Sequence, residues 1–330
     1  MPTPDPFHPS RGLRLLIAVV LMGGALIGPS WAQSVAAPPA QPAKFLGNIV
    51  ARALPGDFDR YWDQVTPENA GKWGSVAATP QTDGWQWSTL DQAYRYALDH
   101  RFPFKEHNLI WGQQQPPWME SLDPAQQRQA VAKWIRLGGA RYPQTALVDV
   151  VNEPLHHPPR YREALGGKGA TGWDWVIWAF QQARQAFPRA QLLLNDYNVL
   201  KDARTAQRYR QLIDLLQARG LIDGIGCEAH FLENVPGAKI RSNLKLLAAT
   251  GLPIYISEYD VNAADDATQL KIYQEQFPIF WTDPAVHGIT LWGYRQGHIW
   301  RKNAYLIGAD GRERPAFTWL RHYIATQARP

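Results

Sequence analysis

The feature that most constrains this chain is a regular alternation of short β-rich runs with longer helical patterns. Several short runs are almost wholly apolar, such as ALVDVV, LPIYIS and GITLW, which is typical of parallel strands buried on both faces. The runs predict strands at residues 45–50, 63–66, 103–110, 146–151, 191–195, 224–229, 253–257 and 288–292. The longer patterns predict helices at residues 90–99, 124–141, 173–186, 204–219, 240–249, 267–280 and 319–325.

Eight strands interleaved with helices predict an α/β fold, a single-domain (β/α)8 TIM barrel, whose typical length is ~250 residues. A doubly wound open sheet is the alternative that this alternation leaves open. The 45% hydrophobic content excludes an intrinsically disordered chain. In a barrel, side chains that perform chemistry are expected where the strands end, at the carboxyl face.

The N-terminus has the order of a secretory signal peptide, with basic Arg11 and Arg14, an apolar run at residues 15–27 and small residues up to Ala32. We therefore predict a signal peptide at residues 1–32, an Ala/Pro-rich leader at 33–44 and a catalytic domain at 45–330. The apolar run is short for a membrane span of about 20 residues. The prediction is a secreted or periplasmic protein with no membrane segment after cleavage, the alternative being an uncleaved anchor.

Charge and motif content argue against several other classes of function. The net charge of +5 comes without a run of like charges, so we expect no nucleic-acid partner. Neither HExxH nor CxxC is present, and adjacent His156 and His157 are not spaced to bind one metal ion. We predict no metal, no cofactor and a monomer. The 15 tryptophans against 3 methionines indicate flat ring faces, for a core or for sugars.

Polar and aromatic residues occur at seven of the predicted strand ends, and a barrel would bring them to one pocket. They are Glu68, Asn69, Lys72, His107, Trp111, Asn152, Glu153, Asn195, Asp196, Tyr197, Glu228, His230, Glu258, Asp260 and Trp292.

Two of these strand-end residues form a candidate catalytic pair. Glu153 follows the fourth strand and Glu258 follows the seventh, so they face each other across a barrel. Glycosidases need one protonated carboxyl group to help the leaving oxygen depart and one ionised carboxylate to attack or to activate water. Asn152 precedes Glu153, whereas His230 and Asp260 lie near Glu258, so Glu258 is easier to keep ionised. Surface ion pairs are the alternative for strand-end glutamates.

Seven segments resemble the glycoside hydrolase family 10 endo-β-1,4-xylanases, in order and from about residue 45 to residue 323. They are TPENAGKW, EHNLIWGQQQPPW, VDVVNE, LNDYN, CEAH, ISEYD and LWGYRQGHIW. The resemblance implies hydrolysis of internal β-1,4 bonds of xylan with retention of anomeric configuration by double displacement. A related retaining glycosidase acting on β-glucan or mannan, and a noncatalytic sugar-binding barrel, stay open as alternatives.

The resemblance also implies a role for each matched residue. Glu153 would be the general acid/base and Glu258 the nucleophile, with their carboxyl groups ~5 to 5.5 Å apart. His230 and Asp260 would orient Glu258 and keep it charged, and Asn152 would bind the sugar 2-hydroxyl. The remaining implied substrate-binding residues are Glu68, Asn69, Lys72, His107 and Gln114 for hydroxyl groups, and Trp111, Trp292, Trp300 and Tyr197 as walls.

The chain departs from the family pattern at several positions. Gly112 stands where the family usually has a second histidine, and Gln296 and Ile299 replace an aspartate and a serine. Glu228, which the resemblance also places among the substrate-binding residues, stands where the family has a glutamine near the nucleophile, and this puts a third carboxyl group near Glu258. Such a group raises one pKa of the cluster unless a cation pairs with it or it stays protonated. We predict that the pH–rate profile of the wild type lies at higher pH than that of Glu228→Gln.

Overall fold

A computed structural model describes residues 44–327, and its centre is one sheet of eight parallel strands. The strands are β1 Phe45–Val50, β2 Val65–Pro67, β3 Lys105–Ile110, β4 Leu147–Asn152, β5 Gln191–Asp196, β6 Gly224–Ala229, β7 Ile254–Tyr259 and β8 Val286–Leu291. Each strand begins and ends within two residues of its predicted bounds. The near-continuous apolar runs were sufficient to locate the strands because both faces of every strand are covered.

The strand order is β2-β1-β8-β7-β6-β5-β4-β3, so the chain winds around a ring in a single direction. The first and last strands of this order, β2 and β3, meet through one parallel bridge between Val65 and Phe104. A doubly wound sheet would instead reverse its strand order at a switch point. The (β/α)8 prediction is therefore confirmed and the open-sheet alternative is wrong.

Helices cover the outside of the barrel. They are α1 Trp73–Val76, α2 Ser88–His100, α3 Pro124–Arg141, α4 Asp174–Ala186, α5 Ala203–Gln217, α6 Gly237–Ala248, α7 Asp266–Trp281 and α8 Pro315–Thr326. Short 3-10 helices lie at Phe58–Arg60, Thr82–Gly84, Pro117–Ser121 and Arg160–Leu165. Helix α3 has its predicted bounds because Asp123 and Gln126 form a reciprocal capping box. Helix α8 begins four residues before its predicted start, since Pro315 is well accommodated in a first helical turn.

The amino end of the barrel is closed by a cluster of four side chains, Phe45, Leu147, Leu193 and Tyr255. The rings of Phe45 and Tyr255 stack with their centroids 5.8 Å apart. Gly288 in β8 faces this cluster, and a Cβ atom there would lie 2.2 Å from Cζ of Phe45. The glycine leaves room for the ring, and the closed end directs access to the opposite, carboxyl end.

Many tryptophans pack between the barrel and its helices. Trp134 of α3 is 1% exposed, stacks on Trp73 and Trp87, and donates its indole N–H to the carbonyl oxygen of Leu109 at 2.9 Å. Burying such rings removes large apolar areas from water. The tryptophan bias of the composition therefore serves the core to a considerable extent, and only a few rings reach the carboxyl end.

The predictions for the signal peptide at 1–32 and for the leader at 33–43 lie outside the described residues. Lys44, the last residue of the predicted leader, is buried, and its ammonium group donates to the carbonyl oxygen of Asp283 at 2.9 Å. Burial lowers the pKa of Lys44 to about 8. Within residues 44–327, no helix combines the length and the apolar content that crossing a membrane requires.

Candidate active site

A cavity of about 450 Å³ opens at the carboxyl end of the barrel. Its lining includes all the predicted site residues except Asp260, which lies behind His230, and the strand-end residues Asn195 and Asp196, which are fully buried. Three further residues line it that the sequence analysis did not assign to the site, namely Gln113, His157 and Phe231. The predicted strand-end residues thus meet in one place, as the barrel geometry requires.

Glu258 is held as a carboxylate by donors on both oxygens. Its Oε1 accepts a hydrogen bond from Asn195 Nδ2 at 2.9 Å, and its Oε2 lies 3.2 Å from His230 Nε2. His107 Nδ1 is 3.9 Å from Oε1. Burial alone would raise the pKa of Glu258, but His107, His230 and Lys105 together hold that pKa below its usual range. An ionised carboxylate is the form that can attack an electrophilic carbon.

His230 lies between two carboxylates. Its Nε2 faces Glu258 and its Nδ1 is 3.0 Å from Asp260 Oδ2. Burial favours the neutral imidazole, but Asp260 and Glu258 outweigh it and raise the pKa of His230 to about 10. Asp260 in turn accepts from Arg301 Nη1 at 2.6 Å and from Trp300 Nε1 at 2.9 Å. The geometry suits the predicted relay, and its role in catalysis stays a prediction.

Glu228, His230 and Glu258 offer ligand atoms that lie within 4.8 Å of one another, close enough to hold a metal ion. A protonated imidazole has no lone pair for a metal, and the carboxylates on both sides keep His230 protonated. The donor set therefore fits a hydrogen-bonded ion relay better than a metal centre.

Glu153, at the end of β4, lies in a different environment. Its Oε2 accepts from Trp111 Nε1 at 2.8 Å and lies 2.5 Å from His157 Nδ1. Burial raises the pKa of Glu153 and the charge of Glu258 adds to this, although Trp111 and His157 act in the opposite direction. The two candidate catalytic carboxyl groups therefore have opposite pKa shifts, which is the pattern of an acid and a nucleophile in one site.

Glu228 lies beside Glu258, since their Cα atoms are partners in the ladder between β6 and β7. Burial raises the pKa of Glu228 well above its usual value, and the charges of Glu258 and Glu153 raise it further. Among residues 44–327, no basic side chain forms an ion pair with Glu228. Of the two states that the sequence analysis allowed, pairing with a cation or protonation, the structure favours protonation.

Asn195 joins three predicted site residues, although the sequence analysis gave it no role beyond a strand-end position. Its Nδ2 lies 2.7 Å from Asn152 Oδ1, 3.0 Å from Glu228 Oε1 and 2.9 Å from Glu258 Oε1. Ser257 Oγ donates to Asn195 Oδ1 at 2.6 Å and so fixes the orientation of the amide. The motif LNDYN was the available signal for Asn195. Its contacts reach residues of other strands, and a motif of consecutive residues does not reveal them.

A second polar group lies on the side of β2 and β3. Lys72 Nζ donates to Gln114 Oε1 at 2.8 Å and to Asn69 Oδ1 at 3.2 Å, and it lies 4.8 Å from the ring centroid of Trp111. Burial lowers the pKa of Lys72 and raises the pKa of Glu68. These donors and acceptors line one wall of the cavity, where they can bind neutral hydroxyl groups.

Below the cavity, inside the barrel, an ion network that the sequence analysis missed supports His107. Its Nδ1 lies 2.9 Å from Asp149 Oδ2, and Lys105 Nζ lies 3.3 Å from the same oxygen. Trp292 presents its ring edge-on to His107 with centroids 5.0 Å apart. Asp149 interrupts the otherwise apolar run ALVDVV, and this interruption was the signal in the sequence.

Two aromatic rings at the mouth of the cavity are exposed, Trp300 at 50% and Phe231 at 41%. They meet edge to face with centroids 5.8 Å apart. Tyr197 lies at another part of the lining, where the imidazole of His156 stacks on it with centroids 4.0 Å apart. Flat exposed rings around a polar cavity suit pyranose faces.

The sequence was compared with protein families and with known proteins. Residues 40–323 match the family described as Glycosyl hydrolase family 10. The chain is 42% identical over 282 residues to endo-1,4-beta-xylanase B of Cellvibrio japonicus, covering 84% of this chain and 45% of that protein. The chain thus spans less than half the length of this relative.

Solved structures share the fold. Xylanase 10B of Thermotoga petrophila in complex with xylobiose has a TM-score of 0.74 and 22% identity, covering 86% of this chain and 94% of that chain. A mutant of an intracellular xylanase of Thermoanaerobacterium saccharolyticum, in complex with xylotriose, also has a TM-score of 0.74 and 22% identity, covering 84% and 94%. The family match extends over most of the chain and shows that this chain belongs to glycosyl hydrolase family 10.

Proposed function

We propose that this chain is a retaining endo-1,4-β-xylanase in which Glu153 is the general acid/base and Glu258 the nucleophile. The observation that carries the proposal is the opposite pKa shift of two carboxyl groups that line one cavity. A protonated Glu153 can donate to a leaving oxygen while an ionised Glu258 attacks.

The reaction has two steps. Glu258 attacks the anomeric carbon as the bond to the leaving oxygen breaks, and Glu153 gives that oxygen its proton. The resulting Glu153 carboxylate then removes a proton from water, whose oxygen attacks the same carbon and displaces Glu258. Two inversions give net retention. His230, cationic between Asp260 and Glu258, would stabilise Glu258 when it leaves as a carboxylate.

Xylan is the proposed substrate because the relatives are named as xylanases and because the cavity carries polar groups that can bind sugar hydroxyls. The Cellvibrio relative is named as an endo-1,4-beta-xylanase, and the Thermotoga and Thermoanaerobacterium structures hold xylobiose and xylotriose. In this chain Lys72, Asn69 and Gln114 supply amine and amide groups for sugar hydroxyls.

Export and a monomeric state complete the proposal. The order of basic, apolar and small residues up to Ala32 supports secretion or release into the periplasm. N-terminal sequencing of the exported protein should begin at Gln33, and a start at Met1 would contradict cleavage. Size-exclusion chromatography with light scattering should give the mass of one chain.

Release of reducing sugars from xylan, cellulose and mannan tests the activity. We expect turnover of xylan only, loss of about 10² to 10⁴-fold in Glu153→Ala and loss of nearly all activity in Glu258→Ala. Glu275→Ala, on the exposed face of α7, is the matched control and should keep wild-type rates. Unchanged xylan turnover by Glu258→Ala would refute the mechanism, and cleavage of cellulose or mannan in place of xylan would refute the substrate.

Proton NMR of the first product tests the stereochemistry. The β anomer should appear first and mutarotate later, because double displacement restores the configuration. An initial α anomer would mean inversion.

A further inference from the structure

The acid/base residue Glu153 has a neighbour that the sequence analysis set aside. His157, four residues further along the loop after β4, lines the same cavity and places its Nδ1 atom 2.5 Å from Glu153 Oε2. Trp111 Nε1 donates to the same oxygen at 2.8 Å. The other oxygen, Oε1, accepts no hydrogen bond from residues 44–327. The two donors thus distinguish the two oxygens of one carboxyl group.

The loop that carries His157 is held from both ends. The backbone N–H of His157 donates to the carbonyl oxygen of Glu153 at 2.7 Å. Asp196, buried at the end of β5, accepts from the backbone N–H of Leu155 at 2.8 Å and lies 2.6 Å from His156 Nδ1. The ring of Tyr197 stacks on both imidazoles, with its centroid 5.8 Å from that of His157. These contacts fix the direction of the His157 ring.

Gly112 leaves the space that this loop occupies. A Cβ atom on Gly112 would lie 2.1 Å from the carbonyl oxygen of His157 and 2.8 Å from that of Pro158, distances that real Cβ contacts do not reach. A side chain at position 112 would therefore displace the loop. Gly112 is also where the chain departs from the family pattern, so the departure and the position of His157 are linked by packing.

The charge around Glu153 comes from several elements. The titratable and charged groups that act on it or respond to it are His157 of its own loop, Glu258 of β7, Glu228 of β6, Lys72 beside α1, and Tyr197 after β5. His157 is the one in direct contact with its carboxyl group. Substitution of His157 can therefore separate its effect on Glu153 from the effects of the other charged groups.

We propose that His157 is a positioning residue for the acid/base, donating from Nδ1 to Glu153 Oε2 so that the transferable proton resides on Oε1, and that Gly112 makes this contact possible. The proposal rests on the function proposed above. With Oε2 occupied by two N–H donors, protonation there would place a third hydrogen among them. The proton therefore resides on Oε1, the oxygen left free for the leaving group.

Leaving-group dependence provides the main test. In His157→Ala, kcat/KM for xylotetraose should fall about tenfold, a fraction of the 10²- to 10⁴-fold that general acid catalysis supplies. For a 2,4-dinitrophenyl xylobioside, whose leaving group departs without a proton, kcat/KM should change less than about twofold. Equal losses on both substrates would show a merely structural role for His157 and would overturn the proposal.

The pH profile provides the second readout. Removing a donor to the carboxylate raises the pKa of Glu153, so the basic limb of kcat/KM should move up by roughly 0.5 to 1 pH unit in His157→Ala. His157→Asn, whose amide N–H can take the place of Nδ1–H, should restore most of the rate on xylotetraose. A basic limb unchanged in His157→Ala, or no rescue by the asparagine, would contradict the assignment.

Gly112→Ala tests the packing link. It should reproduce the leaving-group dependence of His157→Ala, and the double variant should be no slower than either single variant, because both changes break one contact. Additive losses would show that Gly112 acts independently of His157. Circular dichroism and thermal unfolding of each variant check that the barrel is intact.

A direct titration separates this proposal from the proposed function. If the wild type turned over neither substrate, the xylanase proposal would fail. The pKa of Glu153, followed by carbon NMR of labelled glutamate with Glu153→Gln as the assignment control, would still test the contact. A higher pKa in His157→Ala than in the wild type supports it, and equal values overturn it.

Discussion

Replacing Glu228 by glutamine should make the protein more stable, and the gain should grow with pH. Glu228 is 2% exposed and lies beside Glu258, and its pKa in the folded protein is raised well above its usual value of 4.5 by burial first and by neighbouring carboxylates second. In the unfolded chain the same carboxyl group ionises near that usual value. Folding above this pH therefore requires Glu228 to take up a proton.

The size of the effect follows from proton linkage. A raised pKa in the folded state contributes stability that is fully present below the unfolded pKa and is lost as pH rises toward the folded pKa. While Glu228 keeps its proton, the slope approaches about 1.4 kcal/mol per pH unit once the unfolded chain is ionised, which gives a loss of about 2 kcal/mol between pH 4.5 and 6.5. Glutamine does not ionise, so the variant has no such pH-dependent loss of stability at position 228. Its amide oxygen can still accept a hydrogen bond from Asn195 Nδ2, as Glu228 Oε1 does at 3.0 Å.

Urea unfolding of both proteins at pH 4.5, 5.5 and 6.5 measures this difference. The free energies of unfolding should be similar at pH 4.5, and Glu228→Gln should become more stable as pH rises. Glu275→Gln, a substitution at an exposed carboxyl group of α7, is the control and should show a constant difference from the wild type. A difference between wild type and Glu228→Gln that does not change with pH would refute the conclusion that the buried Glu228 is protonated.

Three further predictions concern activity and packing. Glu228→Gln should shift the basic limb of kcat/KM to lower pH, because Glu228, where it begins to lose its proton at higher pH, opposes ionisation of the acid/base, and glutamine does not; overlapping profiles would contradict this. Asp260→Asn should lower the pKa of His230 from about 10, which raises the pKa of the nucleophile and moves the acidic limb to higher pH; an unmoved limb would show that Asp260 does not act through His230. Gly288→Ala should destabilise the protein by about 1 to 3 kcal/mol through overpacking against Phe45 while leaving KM for xylan unchanged, as chemical denaturation and steady-state kinetics can check.

The sequence predicted the secondary structure closely because the fold has a simple local signature. Strands buried on both faces read as apolar runs, and each was placed within two residues. The least accurate bounds were the starts of α6 and α8, where Pro236 and Pro315 mark the first turns and the apolar periodicity begins later.

The site was predictable to the extent that it depends on strand ends. All strands of the barrel are parallel, so their carboxyl ends share one face, and every residue predicted for the site except Asn195, Asp196 and Asp260 lines one cavity. The resemblance to a family added roles to these positions. Residues such as Asp149 and Asn195 were given no role because their importance comes from partners on other strands.

The sequence alone determined the number, order and direction of the strands, the longer helices between them and the set of residues at the carboxyl ends of the strands, whereas the short helix α1 and the 3-10 helices were not predicted. Local patterns encode these properties, since burial on two faces and helical periodicity each leave a signature in consecutive residues. Only the tertiary structure decided how side chains from different strands pair: that β2 and β3 close the ring through Val65, that Glu228 lies beside Glu258 with no ion-pair partner among residues 44–327, and that His157 reaches Glu153 over Gly112. Such pairings depend on strand register and loop packing, which bring together residues far apart along the chain and have no local signature.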